Sequence, residues 1–168
     1  IFGLKSGSKL VRKRFSTTEM KVFKFGGASL KSASAIQNMA SIVKSYANSP
    51  LLVVVSAMGK TTNALERILN AFKKEENYES EVAVLRNYHF EICDNLFADP
   101  HPVKKKIESV LEELADNLHT PGEYDQVYDQ VISLGEVISS VIVSHYLAQQ
   151  GLPCQWLDAR KYIITDTA

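Results

Sequence analysis

A lysine, two adjacent glycines and a serine lie close together in Lys24-Phe-Gly-Gly-Ala-Ser29, at the end of a β-branched and aromatic run. Adjacent glycines let the backbone bring bare N–H groups against an anion, and a lysine adds a point charge. The pattern is typical of a phosphate site, with Lys24, Gly26, Gly27 and Ser29 as its candidate residues. A Gly-Gly pair after a strand is also typical of a tight turn into a helix, which is the alternative interpretation.

A second polar segment, Ser56-Ala-Met-Gly-Lys-Thr-Thr62, follows the aliphatic run Leu51–Val55. Its Gly-Lys-Thr sequence resembles the end of a P-loop, but that motif requires a glycine five residues earlier, where this chain has Val54. What remains is a set of hydroxyl groups between a predicted strand and a predicted helix, where open α/β sheets bind ligands. These hydroxyl groups belong to Ser56, Thr61 and Thr62. The alternative is that Thr61 or Thr62 only caps the helix.

Glu136 is a carboxylate in a largely apolar helical segment, on one narrow stripe with Asp129, Ser133 and Ser140. Because the helix is apolar over most of its circumference, we expect Glu136 to lie away from bulk water. An unpaired buried carboxylate costs several kcal/mol, to order of magnitude, so Glu136 should face a ligand or a partner. Gly135 lowers helix propensity by about 1 kcal/mol relative to alanine, which indicates close approach of another backbone or a ligand. A structural glutamate paired with a lysine or arginine is the alternative.

Periodicity predicts the elements that position these residues. A strand at 21–26, a helix capped by Ser32 and ending near Ala47, and a strand at Leu51–Val55 form a βαβ unit with a right-handed crossover. The second strand lacks polar alternation, which predicts burial on both faces. Further helices are predicted at 61–73 and near 79–98, 102–119 and 125–150, with short strands at 154–157 and 162–165. The expected fold is α/β, with a parallel-rich sheet sandwiched by helices.

The composition is ordinary for one globular domain of 168 residues, with 45% hydrophobic and 23% charged residues. No apolar run approaches the length of a membrane span, so we expect a soluble protein. Cys93 and Cys154 have no metal-ligand spacing near them and are expected to be reduced thiols of an intracellular protein. The four histidines are dispersed, and most are expected to be solvated or capping. No metal-binding residue is proposed.

Residues 1–19 are basic, whereas the rest of the chain is mildly acidic, which argues against a nucleic-acid-binding surface. This segment lacks a helical apolar stripe and precedes Met20, a plausible original start. We expect a disordered, extraneous leader or tag, with a basic targeting segment as the alternative.

Three segments in this order closely resemble the motifs of aspartate kinases, members of the amino-acid kinase superfamily. They are Lys24-Phe-Gly-Gly-Ala-Ser29, Val55-Ser-Ala-Met-Gly-Lys-Thr-Thr-Asn63 and Ser133-Leu-Gly-Glu136. The resemblance runs from about Met20 to the end of the chain, and Ala28 replaces the threonine that is usual in the first motif. It implies the amino-acid kinase (carbamate kinase-like) fold, with residues 20–168 as the N-terminal portion of that domain.

The resemblance also implies a reaction: ATP, with Mg²⁺, phosphorylates the side-chain carboxylate of L-aspartate to give 4-phospho-L-aspartate in the cytoplasm. Lys24 would be catalytic by neutralising the phosphates, together with Gly26, Gly27 and Ser29. Aspartate would be held by Ser56, Thr62 and Glu136, with Glu136 accepting from the α-ammonium group.

Other parts that the resemblance implies are expected beyond residue 168. They are an arginine for the substrate carboxylate, a glycine-rich segment with a catalytic aspartate, the nucleotide-base pocket and, usually, regulatory domains. We therefore expect a truncated and inactive fragment, which could form a homo-oligomer and binds neither nucleic acid nor a membrane. The alternatives are a glutamate or N-acetylglutamate kinase-like enzyme and a non-catalytic binding or assembly module.

Overall fold

A computed structural model describes residues 2–4 and 20–163 of the chain. The predicted helices are confirmed with bounds that differ by at most two residues, and three of the strands lie at predicted positions. The elements in chain order are β1 (Phe2–Leu4), β2 (Lys21–Phe25), α1 (Ala33–Ser45), β3 (Leu51–Val55), α2 (Thr61–Lys73), α3 (Glu79–Leu96), α4 (Pro102–His119), α5 (Tyr124–Gln149) and β4 (Cys154–Trp156). Short 3-10 helices occupy Gly27–Leu30 and Ala159–Lys161.

Local capping explains why several of these bounds were predictable. The Ser32 hydroxyl accepts a hydrogen bond from the Ala35 amide at 3.3 Å, as expected for the N-cap of α1. The helix α5 ends in a Schellman motif, in which Gly151 has a φ of +75° and the Leu152 amide donates to the Leu147 carbonyl at 2.9 Å. Glycine tolerates this left-handed conformation, so α5 stops where the sequence indicates.

The four strands form one sheet in the order β2-β3-β1-β4. Strands β2 and β3 are parallel, with Lys24 opposite Val54, and α1 connects them as the predicted βαβ unit. Strand β1 pairs antiparallel with both β3 and β4, which the sequence did not predict.

Strand β1 comes from the segment that we expected to be a disordered leader, so the structure differs from that expectation for residues 2–4. The origin of the segment stays a prediction, and residues 5–19 lie outside the described part. The predicted strand at 162–165 is not formed at Tyr162 and Ile163, which follow a 3-10 helix, and its remaining residues also lie outside the described part.

One face of the parallel pair is buried and the other is partly open. Leu51, Val53 and Val55 are buried, whereas Leu52 and Val54 are only half-buried. On the neighbouring strand Val22 is 56% exposed, and Lys24 is exposed. The prediction that β3 is buried on both faces is therefore wrong for the described residues, because the face that β3 shares with Lys24 is incompletely covered.

Helix α5 lies at the centre of the packing, against β3, β4 and the helices α2 and α4. Its 26 residues include a window with a mean hydropathy of 1.6, so by length and composition it could span a membrane, contrary to the expectation from the sequence. However, 67% of this window is buried inside the fold. The helix is apolar nearly all round because it packs on several elements at once.

Candidate functional site

The loops that follow β2 and β3 lie side by side at the carboxyl edge of the sheet. The Ser56 amide donates to the Phe25 carbonyl at 3.0 Å, and the Gly59 amide donates to the Gly27 carbonyl at 3.0 Å. These two bonds continue the parallel pairing of β2 and β3 into the loops. The predicted phosphate segment and the predicted hydroxyl segment are therefore direct neighbours.

The two glycines of the first loop differ in their surroundings. A Cβ atom added at Gly27 would stand 2.3 Å from the Ala57 carbonyl oxygen, whereas one added at Gly26 would have no atom within 4 Å. Gly26 has an extended backbone, with a φ of −74° and a ψ of 165°. Close packing of the loops therefore requires glycine at 27, in agreement with the turn interpretation, and leaves open space at Gly26. The side chains of Lys24 and Ser29, on either side of this segment in the sequence, are exposed.

Helix α5 approaches the second loop at Gly135. A Cβ atom there would lie 3.0 Å from the Ala57 Cβ atom and 3.1 Å from Thr61 Cγ2. Gly135 thus permits a close approach, as expected, but the approaching atoms belong to side chains and not to another backbone or a ligand. Because of this contact, Glu136 lies next to the same loop.

A cavity of about 340 Å³ opens at the end of β3 and brings together two of the predicted aspartate ligands, Ser56 and Glu136. Its walls also include two serines from the predicted polar stripe, Ser133 and Ser140. Trp156 closes one side of the cavity and donates from Nε1 to the Ser140 hydroxyl oxygen at 2.9 Å. The lining residues that the structure describes do not include Thr62 or the segment from Lys24 to Ser29.

Another wall of the cavity is fixed by ionic contacts of Arg160. Its guanidinium donates to both carboxylate oxygens of Asp158, at 3.0 and 2.9 Å, and to Glu113 of α4 at 2.8 Å. The hydrogen bond from this guanidinium lowers the pKa of Asp158 below its ordinary value. Arg160 is therefore already paired, and Asp158 ties the segment after β4 to α4 through it.

Glu136 is exposed, so the expectation that it lies away from bulk water is wrong. Its side chain faces the open cavity and not the packed interior of α5. Among the ion pairs within residues 20–163, none involves Glu136, and thus the alternative of a structural salt bridge finds no support there. The carboxylate is available to a cationic ligand.

Neither threonine of the second loop caps α2, because the N-cap is Lys60 and no side chain accepts a capping bond. Thr61 is 1% exposed, and its hydroxyl donates to the Met58 carbonyl at 2.7 Å. Thr61 Oγ1 also lies 3.2 Å from His89 Nε2. Thr62 is half-buried in the first turn of α2. Thr61 is thus a buried contact of the loop, whereas Thr62 is nearer to solvent.

His89 is the residue near the site that the sequence analysis missed. It is fully buried on α3, where Nδ1 lies 2.8 Å from the Leu85 carbonyl oxygen, and burial lowers its pKa from 6.5 to about 4. The histidines were expected to be solvated or to cap helices. This is correct for His101, whose ring accepts a hydrogen bond from the Val103 amide at the start of α4, but it is wrong for His89. Its spacing from Leu85 and Ile92 could have placed it on the apolar face of α3.

The chemistry of the site suits phosphate oxygens and an ammonium group better than a metal ion held by the protein alone. Within residues 20–163, no group of three or more histidine, cysteine, aspartate and glutamate side chains could hold a metal ion. Mg²⁺ at nucleotide sites is commonly held through phosphate oxygens and water with one or two carboxylates. A lysine beside an open glycine fits the phosphates that would carry such an ion.

Two polar loops at the carboxyl edge of adjacent parallel strands are the arrangement with which open α/β sheets commonly bind ligands. Residues 19–167 match the amino acid kinase family, and the chain belongs to that family.

The chain is similar to two curated proteins of Escherichia coli (strain K12). It is 34% identical to the bifunctional aspartokinase/homoserine dehydrogenase 2 over 151 residues, which are 88% of this chain and 18% of that protein. It is 32% identical to lysine-sensitive aspartokinase 3 over 155 residues, which are 89% of this chain and 33% of that protein. The chain therefore spans a third or less of the length of these relatives.

A solved structure has the same fold. The chain matches E. coli aspartokinase III in complex with aspartate and ADP (R-state) with a TM-score of 0.68 and 30% sequence identity, over 79% of this chain and 30% of that chain. This match confirms the α/β amino-acid kinase fold that the sequence analysis expected.

Proposed function

We propose that this chain supplies the aspartate-binding and phosphate-binding part of an aspartate kinase, which uses ATP to convert L-aspartate into 4-phospho-L-aspartate. The observation that carries the proposal is the cavity in which Glu136, without a cationic partner among residues 20–163, meets Ser56 beside the glycine loop. Aspartokinases among the similar proteins support the choice of aspartate.

In this proposal Lys24, Gly26, Gly27 and Ser29 form the phosphate side of the site. Lys24 neutralises negative charge on the transferred phosphoryl group, and the open space at Gly26 admits phosphate oxygens close to the backbone. Gly27 acts by allowing the loops to pack. When bound, Mg²⁺ carried by ATP supplies further charge neutralisation. Phosphoryl transfer depends mainly on such positioning and electrostatic stabilisation.

Glu136, Ser56 and Thr62 form the aspartate side. Glu136 accepts hydrogen bonds from the α-ammonium group, and the Ser56 hydroxyl contacts a carboxylate. Thr62 is assigned to aspartate by the resemblance, from a position one residue beyond the buried Thr61. The attacking side-chain carboxylate of aspartate is already ionised near neutral pH, so the reaction requires no general base.

Binding tests the proposal directly, because the chain spans a third or less of its relatives' length and turnover is a property of the whole enzyme. We expect L-aspartate to bind the chain and Glu136→Gln to weaken that binding about tenfold, since a charge-assisted hydrogen bond is lost. Binding of MgADP should change little. Titration calorimetry with each ligand measures both effects.

Asp129→Asn is the matched control, because Asp129 is also an exposed carboxylate of α5 but does not line the cavity. Succinate, which lacks the ammonium group, provides a second control: Glu136→Gln should not weaken its binding. Equal losses for aspartate, succinate and MgADP would contradict the assignment of Glu136.

The same titrations separate the alternatives. Tighter binding of L-glutamate or N-acetyl-L-glutamate than of L-aspartate would favour a kinase of those substrates. Binding of none of these ligands by the folded chain would favour a non-catalytic module, in which Gly27 and the polar stripe serve packing alone. A cytoplasmic location and a homo-oligomeric state also remain predictions. The location differs among similar proteins, which include chloroplastic aspartokinases of Arabidopsis thaliana.

A further inference from the structure

Three polar side chains lie beneath the second loop in the interior of the protein. We call Thr61, His89 and Ser139 the polar trio; their exposed fractions are 1%, 0% and 0%. They come from three different helices, α2, α3 and α5. Buried polar groups cost free energy unless they are hydrogen-bonded, so their partners indicate what they do.

Two members of the trio bind both backbone groups of one loop residue, Met58. Its amide donates to the Ser139 hydroxyl oxygen at 2.8 Å, and the Ser139 hydroxyl donates to the Gly135 carbonyl at 2.8 Å. The Met58 carbonyl accepts from the Thr61 hydroxyl at 2.7 Å and from the Thr61 amide at 3.1 Å. The loop is thereby tied to α5 at Ser139, which lies about one turn beyond Glu136.

His89 completes the set of contacts through Thr61. Because the Leu85 carbonyl can only accept, the ring proton of the neutral imidazole belongs on Nδ1, 2.8 Å from that oxygen. The bare Nε2 then lies 3.2 Å from the Thr61 hydroxyl oxygen and competes with the Met58 carbonyl for the single hydroxyl proton. The Met58 carbonyl keeps its bond from the Thr61 amide when the hydroxyl turns to His89. Every buried side-chain polar atom in the described part has a partner.

We propose that the polar trio positions the loop between β3 and α2 for substrate binding, so that Thr61, His89 and Ser139 are positioning residues that do not touch the substrate. The loop begins at Ser56 and is followed in α2 by Thr62, the two hydroxyl residues assigned to aspartate above, and therefore the inference rests on the proposed function. An apolar trio would fill the same space but would leave the Met58 amide unpaired. The trio thus fixes the backbone of the loop and its distance from Glu136.

The test compares Thr61→Val, which keeps the shape but removes the hydroxyl, with Thr61→Ser, which keeps the hydroxyl. We expect L-aspartate binding to weaken about tenfold in Thr61→Val and by no more than about threefold in Thr61→Ser, as expected for the loss and retention of one buried hydrogen bond. Equal affinity of Thr61→Val and the unmodified protein would overturn the inference.

Two spectroscopic readouts on the ¹⁵N-labelled chain need no ligand. The His89 ring should show the Nδ1–H tautomer, with a Nε2 resonance that shifts in Thr61→Val but not in Thr61→Ser. Amide hydrogen exchange at Met58 and Gly59 should become faster in Thr61→Val. Unchanged exchange and an unchanged Nε2 resonance would also overturn the inference.

These readouts separate the two proposals. If the unmodified chain does not bind aspartate, the proposed substrate is wrong, whereas the exchange data still decide whether the trio fixes the loop. If Thr61→Val does not fold, Ser139→Ala provides the second variant, because it removes the bond to the Met58 amide from the opposite side. Unchanged exchange at Met58 in folded Ser139→Ala would contradict the inference.

Discussion

Replacing Gly27 with alanine should destabilise the fold by about 1 to 3.5 kcal/mol, because it inserts an atom between two hydrogen-bonded loops. The added Cβ would lie 2.3 Å from the Ala57 carbonyl oxygen. Carbon and oxygen atoms normally approach to about 3.3 Å, so the loops must separate by about 1 Å. The obstacle is a backbone oxygen, which cannot move away by a change of rotamer.

The magnitude follows from three contributions. Overpacking costs about 1 to 3 kcal/mol, and separation of the loops weakens the bond from the Gly59 amide to the Gly27 carbonyl, worth about 1 kcal/mol. In the opposite direction, alanine reduces the conformational entropy of the unfolded chain, which raises the stability by about 0.4 to 1 kcal/mol. The net loss is therefore about 1 to 3.5 kcal/mol, compared with a total stability of about 5 to 15 kcal/mol for a typical domain.

Gly26→Ala is the matched control, because a Cβ atom there meets nothing within 4 Å and the backbone is already extended. It should leave the free energy of unfolding unchanged or raise it by less than about 1 kcal/mol. Urea unfolding followed by circular dichroism gives both values, with an unchanged m-value as the sign that only stability changed. Equal stabilities of the two variants, within about 0.5 kcal/mol, would refute the reasoning about loop packing.

Two further predictions concern α3. Burial lowers the pKa of His89 from 6.5 to about 4, so as the pH falls the unfolded chain binds a proton before the folded chain does. The contribution of His89 to the free energy of unfolding should be complete above about pH 6.5 and decrease by about 3 kcal/mol towards pH 4. Urea unfolding measures this decrease, which should be smaller in His89→Gln. Gly59→Ala should lower the free energy of unfolding by about 2 kcal/mol, because Gly59 has a φ of +58° and an added Cβ atom would meet the Tyr88 hydroxyl. In a double-mutant cycle, Tyr88→Phe should relieve part of that loss. Strict additivity of the two substitutions would contradict the clash.

Local signals in the sequence were sufficient to predict the helices and three of the four strands, because each signal acts within a few residues. Ser32 as an N-cap and Gly151 at the end of α5 fix helix ends through bonds to residues at most five positions away. The parallel pairing of β2 and β3 follows from the helix between them. In contrast, β1 pairs with strands that lie about 50 and 150 positions further along the chain, and no local pattern encodes such a pairing.

The candidate site was predictable in its residue types but not in its surroundings. The motifs identified Ser56 and Glu136, which line one cavity, but the apolar sequence around Glu136 wrongly suggested burial. Periodicity gives the stripe on which a residue lies, whereas exposure depends on which neighbouring elements cover that stripe. His89 was missed for the opposite reason: it was judged by its distance from other histidines and not by the apolar face of α3 on which it lies.

The position of the two loops has a consequence for the proposed reaction. Phosphoryl transfer requires the attacking and transferred groups to be held about 3 to 3.5 Å apart, and small misplacements are costly in rate. Here the loop assigned to phosphate and the loop assigned to aspartate are joined by backbone bonds, from Ser56 to Phe25 and from Gly59 to Gly27. The polar trio fixes the second loop from below. The relative placement of the two proposed ligands thus depends on the backbone, and a change at Gly27 or Thr61 should disturb aspartate binding without touching the ligand.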